Sequence, residues 1–294
     1  MKKFFGTGVA LVTPFLEDGS IDFKSLKKLL AHTAKGADYY VVLGTTGESA
    51  TLTTEEKKQI IEFVVNNNTK GLPVVYGIGG NHTSEVIQTI KATDFKGVDA
   101  ILSVSPYYNK PSQEGIYQHF KAIATASPVP VILYNVPGRT ASNLTAATTL
   151  RLAEHKNIIG IKEASGNMEQ CMNIAKNKPK DFLLISGDDL LTSAFYAIGG
   201  AGVISVLANA LPSVFNKMKV HAVNGNILKS SLEQFRLLEI NGPMYEEGNP
   251  VGVKFLLDQL QICSPEVRLP LVKASLPLQQ KIKTAFDSYK NKKG

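Results

Sequence analysis

A lysine interrupts an apolar run in the segment Ile158-Ile159-Gly160-Ile161-Lys162-Glu163-Ala164-Ser165-Gly166. The four residues before it read as a buried strand, rich in β-branched side chains and without polar alternation. Successive strand side chains point to opposite faces, so Glu163 cannot neutralise Lys162 at close range. If Lys162 points into a core, desolvation favours its neutral amine. A neutral amine is the nucleophile that condenses with a ketone or aldehyde to give a Schiff base. The ordinary alternative is a strand-end lysine that extends its ammonium to solvent.

Schiff-base chemistry also needs a proton shuttle for the carbinolamine and a cation for a substrate carboxylate. The hydroxyls of Tyr134 and Thr45 supply candidates for the first, and Arg139 for the second. Each has a bland alternative. Tyr134 fits a core tyrosine with a satisfied hydroxyl, Thr45 and Thr46 fit caps of the Gly44/Gly47 turn, and Arg139 fits a surface residue after the turn at Pro137-Gly138. What favours chemistry is that all of them follow apolar runs.

Eight such runs recur at a spacing of about 35 residues. They are Gly8–Val12, Tyr39–Leu43, Val74–Ile78, Ala100–Val104, Val131–Tyr134, Ile158–Ile161, Phe182–Ile185 and Val203–Val206. Between them lie amphipathic segments that predict helices, among them Phe23–Ala34, Thr54–Asn66, Ser84–Phe95, Gln113–Ala126 and Asn143–Glu154. Thr53 or Thr54 ahead of Glu55 and Glu56, and Thr83 or Ser84 ahead of Glu85, predict helix caps. Eight strand–helix units predict an α/β protein, a (β/α)8 TIM barrel, over an open doubly wound sheet. From Pro212 onward only helical patterns remain, which gives a barrel domain over residues 1–225 and a C-terminal helical extension over 226–294. In a barrel of this kind the site lies at the C-terminal ends of the strands. Gly44-Thr45-Thr46-Gly47-Glu48-Ser49, Ser105-Pro106-Tyr107-Tyr108-Asn109, Tyr134 to Thr140, Lys162 and Ser186-Gly187-Asp188-Asp189 all fall there.

Other patterns are weak. Gly77-Ile78-Gly79-Gly80 lacks dinucleotide spacing and suits a close approach of backbone at the barrel mouth. Asp188-Asp189 has no histidine or third carboxylate beside it and suits a helix cap, and the five histidines form no ligand spacing, so neither a metal nor another cofactor is expected. Cys171 and Cys263 make no disulfide framework and no zinc spacing, which favours a reducing, cytoplasmic setting. The chain is 44% hydrophobic and 19% charged over 294 residues, and no segment approaches the apolar length of a membrane span. Met1 to Phe5 imitates the basic region of a signal peptide, but Gly6, Gly8, Thr13 and Pro14 break the apolar stretch, which reads instead as the first strand. A net charge of +7 raises nucleic acid as a partner. Lysines scattered in ones and twos, with the densest run in a solvated tail at Lys290-Asn291-Lys292-Lys293, argue against it.

The motifs Gly44-Thr45-Thr46-Gly47-Glu48, Tyr134-Asn135-Val136-Pro137-Gly138-Arg139-Thr140 and Gly160-Ile161-Lys162-Glu163-Ala164, in this order, resemble those of the dihydrodipicolinate synthase family of pyruvate-dependent class I aldolases. The resemblance runs from Gly8 through the C-terminal helices. It implies that Lys162 forms a Schiff base with pyruvate, whose enamine attacks L-aspartate 4-semialdehyde on the way to diaminopimelate and lysine. It further implies a proton relay of Tyr134, Thr45 and Tyr108, the last lent by an adjacent subunit of a homotetramer built as a dimer of dimers. Arg139 would hold the semialdehyde carboxylate, Thr46 the pyruvate carboxylate, and Gly187 and Ile204 would line the pocket. The related lyases of N-acetylneuraminate and 2-keto-3-deoxy sugar acids share the lysine and tyrosine. They generally lack the arginine of the Pro-Gly-Arg-Thr segment, so Arg139 favours the synthase. A catalytically silent keto-acid-binding barrel is the reading from another class. Ser49, Ala50, Asn81, Glu85 and Tyr107 match an allosteric lysine site of the family, but Thr54 and Lys57 stand where lysine-inhibited members carry histidines.

Overall fold

The computed structural model describes residues 2–291. Among them eight parallel strands close into a barrel in chain order: β1 (Gly6–Ala10), β2 (Tyr39–Val42), β3 (Val74–Gly77), β4 (Ala100–Val104), β5 (Val131–Asn135), β6 (Ile158–Glu163), β7 (Leu183–Ser186) and β8 (Gly202–Ser205). Helices α1 (Phe23–Thr33), α2 (Thr54–Asn67), α3 (Thr83–Ala92) and α4 (Gln113–Ala126) follow the first four strands in turn. The one-turn α5 (Pro137–Thr140) and α6 (Ala146–Leu152) follow β5, and α7 (Met168–Asn177), α8 (Thr192–Ala197) and α9 (Pro212–Val223) follow the last three. The helical extension then carries α10 (Ile227–Phe235), α11 (Leu238–Asn241), α12 (Val251–Gln259) and α13 (Leu276–Asn291).

The strands read as unbroken apolar runs because both of their faces are buried. One buried cluster is drawn almost wholly from strands, including Ala10, Val41, Val75, Leu102, Ile132, Tyr134, Ile185 and Ile204, and fills the lumen. Their chain neighbours Val9, Val42, Val74, Ile101, Leu133, Leu184 and Val203, with Ile161 of β6, belong to the other cluster, which mixes strand with helix residues. The alternation of faces is therefore present, although most positions on both faces are apolar.

Local structure departs from the sequence expectation where side chains compete for one role. The predicted capping box forms at α2: Thr53 Oγ1 accepts from Glu56 N at 3.2 Å and Glu56 Oε2 accepts from Thr53 N at 2.8 Å. At α3 neither Thr83 nor Ser84 is the cap. His82 is, its Nδ1 accepting from Glu85 N at 3.1 Å, an imidazole standing in for the usual hydroxyl. The helix predicted from Asn143 begins only at Ala146, capped by Thr145, because the Asn143 amide is engaged with Asn135 and Gln170. Lys290 reaches Asp287 at 2.7 Å, whereas Lys292 and Lys293 lie outside the described residues.

The extension is anchored to the barrel mouth by charge. Lys254, fully buried in α12, pairs with Glu48 Oε1 at 2.5 Å, donates to the Glu266 carbonyl at 2.7 Å and lies 4.1 Å from the Phe15 ring centroid. Burial pulls the Lys254 pKa down and the Glu48 carboxylate opposes it. Arg268, between α12 and α13, forks onto both oxygens of Glu56 and donates to the Gly19 carbonyl. Removing one member of a buried pair strands the other charge. Lys254→Met is therefore expected to lower unfolding stability by about 3–5 kcal/mol. Urea denaturation checks this, and a loss below about 1 kcal/mol would contradict it.

Candidate active site

Strand register brings the lysine to the tyrosine. Tyr134 of β5 stands opposite Lys162 of β6, which in turn stands opposite Ile185 of β7. Lys162 follows the outward Ile161, so its side chain enters the lumen, where it is 6% exposed. Its Nζ lies 4.3 Å from the Tyr134 ring centroid. No ion pair or hydrogen bond to Lys162 forms among the described residues. Glu163 faces the other way, as the strand period requires, and its carboxylate accepts from the Asn135 and Gln170 amides and from Ser165 N.

Gly187 makes the lysine's position possible. A Cβ at residue 187 would lie 2.5 Å from Ala164 Cβ and 3.1 Å from Lys162 Cε, so any larger residue would press on the amine's stem. Ile204 is buried in the lumen cluster.

The threonine pair occupies a 3₁₀ turn, Thr45–Gly47, directly after β2. Leu43 with φ 61° and Glu48 with φ 53° bracket it, two non-glycine residues in the left-handed region that favours glycine. Such a turn persists only where its surroundings over-determine it. Thr13 Oγ1 donates to the Gly47 carbonyl at 2.7 Å and Lys254 holds Glu48. Thr45 is exposed at the mouth, whereas Thr46 is buried and its Oγ1 accepts from Asn249 Nδ2 at 3.0 Å.

A cavity of about 270 Å³ opens on the Thr45 and Tyr134 side of the lysine and extends past Gly79 to Tyr107, Asn81, Glu85, Ser49 and Lys57. A Cβ on Gly79 would sit 2.8 Å from Val104 N, so the Gly77–Gly80 segment does serve a close backbone approach. Lys162, Gly187 and Ile204 are not part of the cavity wall, and neither is Ala50.

Two expected site residues are not gathered by this chain alone. Arg139 is exposed on α5 without an ion pair among the described residues. Ser142 Oγ, donating to the Pro106 carbonyl at 2.8 Å, ties its turn to the loop of Tyr107 and Tyr108. Tyr108 is 88% exposed with φ 71°, and it is not part of the cavity wall.

The Asp188-Asp189 pair divides its labour. Asp188 caps the short turn after β7 by accepting from Leu190 N, as expected. Asp189 instead turns inward, accepting from Leu207 N at 2.9 Å and from the Tyr245 hydroxyl at 3.3 Å, and burial pushes its pKa up to about 6. Tyr245, Asn249 and Lys254, all from the extension, were not among the residues the motifs singled out. Lys254 carried a readable signal, a lysine inside the apolar run Val251 to Leu257.

An amine buried without an ionic partner among the described residues, beside a tyrosine and near the Thr45–Thr46 turn, can add to the carbonyl carbon of a small keto acid. The model of the Dihydrodipicolinate synthetase family matches residues 3–288. The chain is 55% identical over 286 residues to the 4-hydroxy-tetrahydrodipicolinate synthase of Cytophaga hutchinsonii, covering 97% of this chain and 96% of that one. Its fold is similar to the Acinetobacter baumannii dihydrodipicolinate synthase complexed with pyruvate, at a TM-score of 0.94 and 38% identity over 98% of this chain and 99% of that one. It is also similar to a monomeric dihydrodipicolinate synthase variant, at a TM-score of 0.95 and 34% identity over 98% and 97%. The chain belongs to the dihydrodipicolinate synthetase family.

Proposed function

We propose that this chain condenses pyruvate with L-aspartate 4-semialdehyde to 4-hydroxy-tetrahydrodipicolinate, the first committed step toward diaminopimelate and lysine. Its Lys162 is the Schiff-base nucleophile. The lysine amine adds to C2 of pyruvate, and the carbinolamine loses its hydroxyl as water to leave an iminium. Loss of a C3 proton gives the enamine, whose C3 attacks the aldehyde carbon of the semialdehyde. The amino group of the adduct then closes onto C2 and releases Lys162 as the free amine. In this reading Tyr134 and Thr45, with Tyr108 of a neighbouring subunit, carry protons. Thr46 binds the pyruvate carboxylate, Arg139 binds the semialdehyde carboxylate, and Gly187 and Ile204 shape the floor.

One observation carries this reading: Lys162 enters the lumen without an anionic partner among the described residues, 4.3 Å from the centre of the Tyr134 ring. The test is borohydride reduction with and without pyruvate, followed by mass spectrometry and peptide mapping. A pyruvyl adduct on Lys162 is the expected result, and a folded protein without one would remove the mechanism. Assay of pyruvate release from N-acetylneuraminate separates the sugar-acid lyase alternative.

The exposure of Tyr107 and Tyr108 supports a homotetramer, a dimer of dimers in which the second tyrosine completes a neighbour's site. No helix among the described residues is long and apolar enough to cross a membrane, and both cysteines are free and buried, which suits a cytoplasmic enzyme.

Feedback by lysine is expected to be weak or absent. Lys57 lines the cavity with Glu85, Asn81, Ser49 and Tyr107, half-buried and without an ion pair among the described residues. Burial lowers its pKa, which marks how poorly water screens it there. A second ammonium brought against it meets like-charge repulsion. An inhibition constant for L-lysine below about 1 mM would contradict this, since a repelled cation binds weakly.

A further inference from the structure

The keto-acid carboxylate subsite is held from the far end of the chain. Thr46 is 3% exposed and Asn249 is 8% exposed, and Asn249 Nδ2 donates to Thr46 Oγ1 at 3.0 Å. A threonine hydroxyl has one proton to give and two lone pairs to offer. With a lone pair taken by the amide, the hydroxyl proton cannot go to Asn249. Among the described residues it goes to no other acceptor, which leaves it for a ligand. Asn249 Oδ1, meanwhile, is buried with no hydrogen-bond partner. The opposite amide orientation would satisfy that oxygen by taking the Thr46 proton, and would spend the donor the site needs.

The same unit also fixes the backbone that carries the hydroxyl. Five residues beyond Asn249, Lys254 binds Glu48 Oε1 at 2.5 Å, and Arg268 N donates to Glu48 Oε2 at 3.0 Å. Glu48 is the left-handed residue that closes the threonine turn. The helical extension thus holds the turn at its C-terminal end and its hydroxyl at the centre.

We propose that Asn249 is a positioning residue for the keto-acid carboxylate, committing the Thr46 hydroxyl to donate to it. The inference rests on the reading that Thr46 binds that carboxylate. Three substitutions separate it from a packing role. Asn249→Ala removes the donor that turns the hydroxyl proton toward the carboxylate, and the KM for pyruvate rises by up to about tenfold, the value of one hydrogen bond to a charged group when that bond is lost. Asn249→Asp takes the Thr46 proton and sets a second negative charge beside the substrate carboxylate, so that KM rises about a hundredfold. In both, kcat and the KM for the semialdehyde stay within about threefold, because the reacting centre is untouched. On a Thr46→Val background, Asn249→Ala adds less than about twofold, since the hydroxyl it acts through is gone.

A packing role predicts instead that both variants lose thermal stability and shift the two KM values alike, and that outcome overturns the proposal. Retention of the wild-type pyruvate KM in Asn249→Ala overturns it as well, and can be read even if Asn249→Asp fails to fold. Borohydride trapping of the wild type keeps the two levels apart. No pyruvyl adduct on Lys162 removes the underlying reading and the proposal with it, whereas an intact adduct with unshifted Asn249 variants removes the proposal alone.

Discussion

Lys162→Arg is expected to lower turnover by about 10⁴-fold or more, the scale on which loss of a covalent nucleophile registers. A guanidinium stays protonated across the working pH range and has no lone pair to add to a carbonyl carbon. The substitution places a fixed positive charge near the Tyr134 ring, so any activity that needed only a cation there would survive it. Arginine is bulkier, and the approach of Gly187 to Lys162 Cε leaves little room, so Lys162→Ala serves as the companion variant. Both should lose the pyruvyl adduct while retaining a folded circular dichroism spectrum. Turnover near that of the wild type in either, or an adduct trapped on another lysine, would assign the nucleophile elsewhere.

That experiment matters because a lysine inside an apolar run is an ambiguous signal, and this chain contains it twice. Lys162 follows Ile158 to Ile161, and Lys254 follows Val251 to Val253. Both are buried, and Lys254 is the more completely so. They differ in what surrounds them. Lys254 meets the Glu48 carboxylate at 2.5 Å and works as a buried ion pair, whereas among the described residues no carboxylate pairs with Lys162. The partner of Lys254 lies 206 residues away in sequence, so no local pattern could have told the two lysines apart. The strand period did exclude Glu163 as a partner for Lys162, because that exclusion needs only the alternation of faces.

Elsewhere legibility follows the range of the interaction. The eight strands and their order were readable because each is a local run of apolar residues and each is joined to the next by a helix. The α2 capping box was readable because its two partners lie three residues apart. The His82 cap was not, since histidine is an uncommon N-cap acceptor and two better candidates stand beside it. Asn249 on Thr46 and Tyr245 on Asp189 were not readable either. They depend on how the helical extension folds back over the barrel mouth, and amphipathic periodicity says which face of a helix is buried without saying against what.

Tyr134→Phe is expected to cost about 10²–10⁴-fold in kcat, the range for a lost proton shuttle, with little loss of stability. In the proposed mechanism two steps use the phenol. The carbinolamine hydroxyl must be protonated to leave as water, and a proton must be carried away as the enamine forms. A phenyl ring keeps the contact of the Tyr134 ring with Lys162 and its place in the lumen cluster, so the substitution isolates the hydroxyl. If Tyr134 is only a packed core residue, Tyr134→Phe should change kcat by less than about threefold, as a near-isosteric swap does. A shuttle also predicts a particular division of the defect. Adduct formation on Lys162 should be slowed but still reach completion after long incubation with pyruvate, because the nucleophile is intact. The adduct should be absent altogether in Lys162→Arg. Rapid, full-amplitude adduct formation together with near-normal turnover in Tyr134→Phe would move the proton-transfer role to Thr45 or to water.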